Sequence, residues 1–214
     1  KYLSPPKDTV VPVSAEVLKR VVSEVLRPEF VEAVTRPPTS GKGLSYVVEA
    51  CIAYGGDVEI ATSPSSVIWR FVNRTPKLRD SSDCAIWKAV ALVNWRNYKV
   101  DVFDNGIPKG PIKIIVHVAG PFVHLMFKGQ SKQALAEDEN LIKEIKLALE
   151  EVGRKLRAYI TGKEIAARKA MRASTLMSYA DKFAKSLVKI LETDNEYNNV
   201  SVDEIVNKMK SAIE

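Results

Sequence analysis

The stretch Ile112-Lys113-Ile114-Ile115-Val116-His117-Val118-Ala119 decides the fold class. Branched apolar residues occur at both alternating positions of this stretch, so that neither side of an extended chain is clearly polar. Such a run predicts a central β-strand that is buried on both faces. Two further runs, residues 46–54 and 66–73, are rich in Val, Ile and aromatic residues and predict neighbouring strands. Residues 57–60 and 123–127 are expected to add shorter strand pieces.

Helices are predicted on either side of these strands. Ser14 is expected to cap a helix that ends at Pro28, and residues 36–41 are expected to form a loop. Ser81-Ser82-Asp83 predicts the N-cap region of a second helix, which runs through Val93.

A long helix is predicted from about Asp138, because apolar residues then recur at heptad-like spacing for some fifty residues. Gly153 and Gly162 weaken this helix without ending it. The polar stretch 193–199 is expected to end it, and residues 201–213 predict a last short amphipathic helix. The sequence therefore predicts an α+β domain with a strand–helix–strand crossover, followed by a long helix.

The net charge of +6 is concentrated in the long helix, where residues 151–191 carry ten Lys and Arg against three acidic residues. A local basic stripe attracts nucleic acid or an acidic partner surface. A solvated helix face has the same composition, so the charge alone leaves both interpretations open.

Several function classes find no support in the sequence. The apolar runs are too short to span a bilayer, which favours a cytoplasmic protein. Cys51 and Cys84 have no metal-ligand spacing, and neither His117 nor His124 has a ligating companion, so no metal site is predicted. No triad or paired carboxylates are evident, and no catalytic residue is predicted.

Four motifs together resemble the transducer domain of topoisomerase VI B subunits, members of the gyrase/MutL ATPase superfamily. They are Arg70-Phe71-Val72-Asn73-Arg74-Thr75-Pro76, Ile86-Trp87-Lys88-Ala89-Val90, the strand Ile114-Ile115-Val116-His117-Val118-Ala119 and residues 147–160. The resemblance covers residues 28–191. It implies a ribosomal-protein-like transducer fold, in which helices back a four-stranded sheet with a left-handed βαβ crossover.

The resemblance also implies a division of the chain. Residues 1–10 would end a helix–two-turns–helix module, and residues 11–160 would form the transducer domain. Residues 161–192 would extend the long stalk helix, and residues 193–214 would form a short helical tail. A nucleotide-binding domain is expected upstream in this family.

The loop Lys128-Gly129-Gln130-Ser131-Lys132-Gln133 is the first candidate site. By composition it is an ordinary polar loop, but the family has a Gln-Thr-Lys loop that touches the γ-phosphate of ATP. The resemblance therefore implies that Lys132 senses the γ-phosphate and that Gln130 supports it, with Ser131 replacing Thr. Lys128 is the alternative lysine.

The second candidate site is Trp95-Arg96-Asn97-Tyr98, which resembles the family's Trp-Lys-x-Tyr motif, with Arg in place of Lys. An aromatic and basic cluster offers a cation for phosphate and flat rings for packing on the nucleic-acid backbone. The resemblance implies a DNA contact by Trp95, Arg96 and Tyr98. The alternative is that Trp95 only anchors the edge of the sheet.

The resemblance implies a part of an ATP-dependent type II DNA topoisomerase that relaxes supercoiled DNA. ATP with Mg would be bound mainly by the upstream domain. The expected partners are double-stranded DNA, a second B subunit, and the DNA-cleaving A subunit at the C-terminal helix. Alone, the chain is expected neither to hydrolyse ATP nor to cut DNA. The alternative is a stand-alone basic nucleic-acid-binding domain of split-βαβ type. A coiled-coil scaffold is disfavoured because the apolar seam loosens after Ile160.

Overall fold

The computed structural model describes residues 10–41, 43–78, 82–128, 132, 134–191 and 201–211. The chain divides into two compact units, Lys1–Ile160 and Thr161–Glu214. The helices are α1 (Ala15–Leu26), α2 (Ala85–Ala91), α3 (Glu139–Leu191) and α4 (Val202–Ser211). The strands are β1 (Phe30–Thr35), β2 (Thr39–Gly41), β3 (Leu44–Tyr54), β4 (Ile68–Val72), β5 (Thr75–Pro76), β6 (Asp101–Val102), β7 (Pro108–Lys109) and β8 (Ile112–Ala119). Short 3-10 turns lie at Pro64–Ser66, Trp95–Tyr98 and Val123–Met126.

The main sheet has the strand order β1-β3-β8-β4-β5, and β2 pairs with β3. Strand β8 runs antiparallel to β3 and parallel to β4, so the sheet is mixed. All eight residues of β8 are buried, which confirms the predicted central strand. Because β4 and β8 are parallel neighbours, the chain crosses over between them, and α2 lies in that crossover.

The predicted α+β class, with a helix-backed sheet and a long C-terminal helix, is confirmed. Strands β1, β3, β4 and β8 are the four longer strands, and the short β2 and β5 bring the sheet to six strands rather than four. The left hand of the crossover stays a prediction.

Helices cover both faces of the sheet. Side chains of β3, β8, α2 and the start of α3, among them Ile52, Ile86 and Leu149, form the larger core. A smaller core under α1 contains Val22, Cys51 and the β8 residue Ile115. Helix α1 begins as predicted, because the Ser14 hydroxyl accepts a hydrogen bond from the Val17 amide at 3.4 Å.

Helix α3 is continuous over 53 residues, which confirms the predicted long helix. An Asp138 carboxylate oxygen accepts a hydrogen bond from the Leu141 amide at 2.9 Å and caps its first turn. Its apolar seam is buried within the first unit at Leu141, Ile145, Ala148, Leu149, Val152 and Leu156, and Tyr159 at the end of the seam is partly buried. In the second unit, the described residues that are buried are Ala180, Ala184 and Val206. Of the helices that the structure describes, none is both long and apolar enough to cross a membrane.

Four local predictions are wrong. Residues 57–60 form turns and irregular chain rather than a strand, and residues 36–41 contain β2 rather than only a loop. Val123–Met126 is a 3-10 turn instead of a sheet extension. Cys84, not the preceding polar triplet, is the N-cap of α2, and α2 ends at Ala91. Ser81 lies outside the described residues.

Candidate functional site

Lys128 and Lys132 belong to a small hairpin, and of residues 129–133 the structure describes Lys132 alone. Phe127 and Leu135 form an antiparallel bridge. The Lys128 amide donates to the Ala134 carbonyl at 2.7 Å, and a further amide–carbonyl bond of 2.7 Å, from Ala136 to Met126, closes the stem. Lys132 is exposed in the tip with a left-handed φ of 50°. Gln130, its predicted companion, lies outside the described residues.

The two candidate lysines differ in their surroundings. The Lys128 ammonium forms an exposed ion pair with Asp83, at 3.3 Å. No carboxylate among the described residues forms an ion pair with Lys132. A lysine ammonium offers a compact charge and three donors to a phosphate, but the ammonium of Lys128 must first leave Asp83. The surroundings therefore favour Lys132 over Lys128 as an anion ligand.

The hairpin stem is attached to the starts of two helices. The Ala85 amide, at the start of α2, donates to the Leu135 carbonyl at 3.1 Å. Lys88 of α2 forms an ion pair with Glu137 at 2.5 Å. Only Ala136 and Glu137 separate the stem residue Leu135 from Asp138, which caps α3. The hairpin is therefore bonded to α2 and leads into α3 within three residues of its stem.

The second candidate site forms the 3-10 turn Trp95–Tyr98, where Trp95 belongs to the core. Its indole has no exposed surface, and its Nε1 donates to the Val90 carbonyl at 2.8 Å. The structure does not support a DNA contact by this ring, since a buried indole packs rather than binds at the surface. Arg96 is exposed and Tyr98 is half-buried, so a DNA contact stays a prediction for these two residues.

Tyr98 packs on α3 at Gly153. The Tyr98 ring would lie 2.9 Å from a Cβ atom at position 153, so the ring occupies space that only glycine leaves open. Burial and the nearby Glu150 carboxylate raise the pKa of the Tyr98 hydroxyl, while Arg154 and Arg157 oppose that rise. Arg154 and Arg157 follow Gly153 on α3 and lie near the turn that carries Arg96, because the Tyr98 ring packs on Gly153. We call Arg96, Arg154 and Arg157 the basic flank.

Sequence reasoning missed the role of three of these α3 residues. Arg154 and Arg157 were only two members of a basic stripe, and Gly153 was only a weak point in a helix. A usable signal exists, because Gly153 follows the seam residue Val152 and therefore lies at the edge of the core. A glycine at the edge of a buried seam indicates close approach of another side chain.

Glu49 and His117 form a buried pair of the kind that acid–base catalysis uses, but all four of their polar side-chain atoms are committed. Glu49 Oε2 lies 2.7 Å from His117 Nδ1 and accepts the Val13 amide, while Oε1 accepts the Ser14 amide and the Thr35 hydroxyl. His117 Nε2 accepts the amide of Arg74 at 3.0 Å. Burial raises the pKa of Glu49, but these hydrogen bonds outweigh it and leave the pKa below its ordinary value. The pair holds the start of α1 to the sheet.

Other features of the described residues offer no chemistry. No cluster of His, Cys, Asp or Glu in the described part of the chain could hold a metal ion. A groove of about 220 Å³ lies between α1 and the sheet, but Val17, Val21, Trp69 and Phe71 make most of its wall apolar. Such a wall does not suit a phosphate group.

The comparisons with known proteins agree with the resemblance. The family model for the topoisomerase VI B subunit transducer matches residues 5–172. The B subunit of type 2 DNA topoisomerase 6 from Pyrococcus furiosus is 39% identical over an alignment of 189 positions, which covers 87% of this chain and 31% of that protein. The corresponding B subunit from Methanothermobacter thermautotrophicus is 31% identical over an alignment of 216 positions, which covers 100% of this chain and 40% of that protein.

The chain thus spans about a third of the length of the curated relatives it matches. Among solved structures, the B subunit of the DNA gyrase from Myxococcus xanthus has a TM-score of 0.41 and 19% identity, over 65% of this chain and 38% of that one. The family match and the two relatives leave the assignment clear. The chain belongs to the topoisomerase VI B subunit family and contains its transducer domain.

Proposed function

We propose that this chain relays ATP binding and hydrolysis from an upstream nucleotide domain to a DNA-cleaving A subunit during duplex passage. The observation that carries the proposal is the hairpin whose tip presents Lys132 and whose stem leads into α3. A loop that is ordered by a ligand and joined to a rigid element is a recurrent switching device.

Among the described residues, the exposed ammonium of Lys132 is suited to bind the terminal phosphate of ATP. No described carboxylate neutralises it, and the left-handed backbone of Lys132 turns the chain at the hairpin tip. Gln130 would support the same contact. ATP with Mg would supply a terminal phosphate whose charge changes on hydrolysis, and Lys132 would bind or release it. The rest of the nucleotide site belongs to the proposed upstream domain.

Few residues separate the hairpin from α3, and hydrogen bonds and an ion pair hold the base of the hairpin in place. The stem hydrogen bonds fix the two sides of the hairpin, and the Lys88–Glu137 ion pair ties its base to α2. The Asp138 cap then starts α3. A movement of the hairpin base would therefore shift the first turns of α3, which lie in the first unit.

Three partners belong to the same proposal. Double-stranded DNA would meet the basic flank, where exposed guanidinium groups suit phosphates. A second B subunit would complete a dimer. The A subunit would bind the C-terminal part of α3, which exposes Met171, Tyr179, Phe183 and Ile190. We expect the complete enzyme to act in the cytoplasm.

The test compares Lys132→Ala with wild type in a complete B subunit paired with its A subunit. We expect ATP-dependent relaxation of supercoiled DNA to fall about 100-fold, because a positioned cation is removed from the reacting phosphate. Nucleotide binding, measured by fluorescence titration, should change little, since one contact of many is lost. ATP hydrolysis should fall with relaxation.

The matched control is Lys128→Ala, four residues away on the same hairpin. We expect it to relax DNA like wild type, because Lys128 is paired with Asp83. Loss of relaxation in Lys128→Ala, with Lys132→Ala unaffected, would move the sensing role to Lys128. Normal relaxation in both variants would contradict the relay and favour a stand-alone nucleic-acid-binding domain, the second candidate, which the open basic flank supports.

A further inference from the structure

Gly153 is a glycine in a helix interior with a specific neighbour. Three atoms of the Tyr98 ring would lie 2.9, 2.9 and 3.1 Å from a Cβ at this position. Gly162, the other glycine of α3, would have nothing within 4 Å of its Cβ. Both glycines disfavour the helix equally by their intrinsic propensity. Of the two, only Gly153 leaves space that a neighbouring side chain, the ring of Tyr98, occupies.

The turn that bears Arg96 is attached at both ends. On one side Trp95 is buried and hydrogen-bonded to Val90. On the other side Tyr98 packs against Gly153 and also meets Trp95 edge-on, with ring centroids 6.2 Å apart and an angle of 71°. The Lys99 amide closes the turn onto the Arg96 carbonyl at 3.0 Å. Arg96 therefore projects from a turn with little freedom to move independently of α3.

We propose that Gly153 and Tyr98 form a fixed joint that makes the Arg96 turn and the part of α3 within the first unit, residues 139–160, move as one body. Tyr98 is then a positioning residue rather than a DNA contact, and a phosphate held by Arg96 acts on the long helix itself. The inference rests on the proposed function, in that DNA meets the basic flank. The inference adds a structural connection through which DNA bound at Arg96 would act on α3.

The half-buried state of Tyr98 supports this division of roles. A ring that stacks on nucleic acid must offer a free face, whereas this ring is partly covered by α3 and by the indole edge. Arg96 is exposed and can reach a phosphate without displacing either ring. Trp95 and Tyr98 therefore hold the turn in place, and Arg96 is the residue of the motif that would bind a DNA phosphate.

The first measurement is a double-mutant cycle on the 214-residue chain, read by melting temperature. Gly153→Ala should lower the melting temperature by about 3 °C, because its Cβ displaces the ring. In a Tyr98→Ala background the same change should raise it by a similar amount, since alanine is then simply the better helix former. Gly162→Ala, the matched control, should raise it in both backgrounds. A rise with Gly153→Ala in the wild-type background would overturn the joint.

The second measurement uses the complete enzyme with its A subunit. Gly153→Ala and Tyr98→Ala should each reduce stimulation of ATP hydrolysis by DNA about tenfold, and the double variant should be no worse than Tyr98→Ala alone. Affinity for a DNA duplex, from fluorescence anisotropy, should fall less than about threefold, because Arg96 remains exposed. Tyr98→Phe keeps the ring and should behave like wild type.

The outcomes separate the two proposals. If Tyr98→Ala loses DNA affinity while Gly153→Ala keeps both affinity and stimulation, Tyr98 is a DNA contact and the joint is wrong. If the losses of stimulation in the two single variants multiply in the double variant, the residues act independently and the joint is also wrong. If the wild-type enzyme shows no stimulation of ATP hydrolysis by DNA, it is the proposed function that fails, and the melting cycle still decides whether the joint exists.

Discussion

The two flanks of α3 within the first unit differ in how their charges are satisfied. On the flank next to β1, Arg36 lies 3.2 Å from Glu144 and 3.6 Å from Glu151, and Lys155 lies 3.4 Å from Glu32. On the opposite side, the basic flank, no described carboxylate forms an ion pair with Arg154, Arg157 or Arg96.

This difference shows that a basic stripe in a sequence can be two surfaces in a structure. Lys155 stands between Arg154 and Arg157 in the chain, yet it serves a different flank because successive helical residues are about 100° apart. Lys155 neutralises a carboxylate and stabilises the fold locally. The arginines on either side of it keep their charge available to a ligand.

The largest expected effect comes from removing the available charges. Arg154→Gln combined with Arg157→Gln should weaken binding of a DNA duplex about 10- to 100-fold, because two phosphate contacts are lost. The slope of log affinity against log salt concentration should become shallower by about 1.8. Fluorescence anisotropy at several salt concentrations measures both quantities, while the melting temperature should stay near that of wild type.

Lys155→Gln is the control for this prediction, since it removes the same charge from the same turn of α3. We expect no change in the salt slope, because Lys155 is paired with Glu32. A salt slope that falls as much in Lys155→Gln as in the arginine variant would mean that DNA responds to net charge alone, and the distinction between the two flanks would be lost.

A medium effect is expected on the β1 flank. Arg36→Ala removes the cation that bridges Glu144 and Glu151, both only partly exposed. The free energy of unfolding should fall by about 1 kcal/mol, as for a partly buried ion pair. Urea denaturation measures this change. DNA affinity should be unaffected, and a clear loss of affinity would show that the two flanks are not independent.

The smallest effect is a pH dependence that belongs to the β1 flank. Burial raises the pKa of Glu32, but the hydrogen bonds and charges of Lys19 and Lys155 outweigh it, so the pKa lies below its ordinary value of 4.5. A carboxylate with a depressed pKa stabilises the fold above pH 4.5 and loses that contribution as the pH falls through its folded value.

Thermal unfolding between pH 6 and pH 3 tests this assignment. The melting temperature of Glu32→Gln should approach that of wild type as the pH falls, because the missing carboxylate contributes nothing once it is protonated. A gap between the two proteins that stays constant over this range would contradict it.

The elements that the sequence predicts well are those with a long, unambiguous period. Strand β8 is apolar at both alternating positions, and α3 repeats its seam over several turns, so burial dictates each of them. The capping of α1 by Ser14 was equally predictable, because a Ser hydroxyl directly before an apolar helical pattern commonly accepts a hydrogen bond from an amide of the first helical turn.

Short segments were decided by contacts that the sequence does not reveal. Val123–Met126 has the composition of a strand, but it follows Gly120 and Pro121 and closes a 3-10 turn instead. A Cβ at Gly120 would clash with the Ser45 carbonyl, so this corner is fixed by a tertiary approach.

The candidate sites were predicted as motifs but not as surfaces. The position of Lys132 in a loop before α3 followed from the chain order, whereas the hairpin that holds it depends on backbone bonds between Met126 and Ala136. The resemblance implied a DNA contact by Trp95, and anchoring of the sheet edge by this residue was the alternative. Its burial depends on packing within the larger core, which local composition cannot report.

Cys51 lies in β3, between β1 and β8. Its thiol can therefore report how often the sheet opens. The side chain has no exposed surface, and its burial, with a further contribution from Glu32, raises the pKa of the thiol to about 12. Only the thiolate reacts readily with alkylating reagents. Labelling of Cys51 at neutral pH therefore requires that the strands around it separate. The labelling rate of Cys51 then measures how frequently the sheet opens.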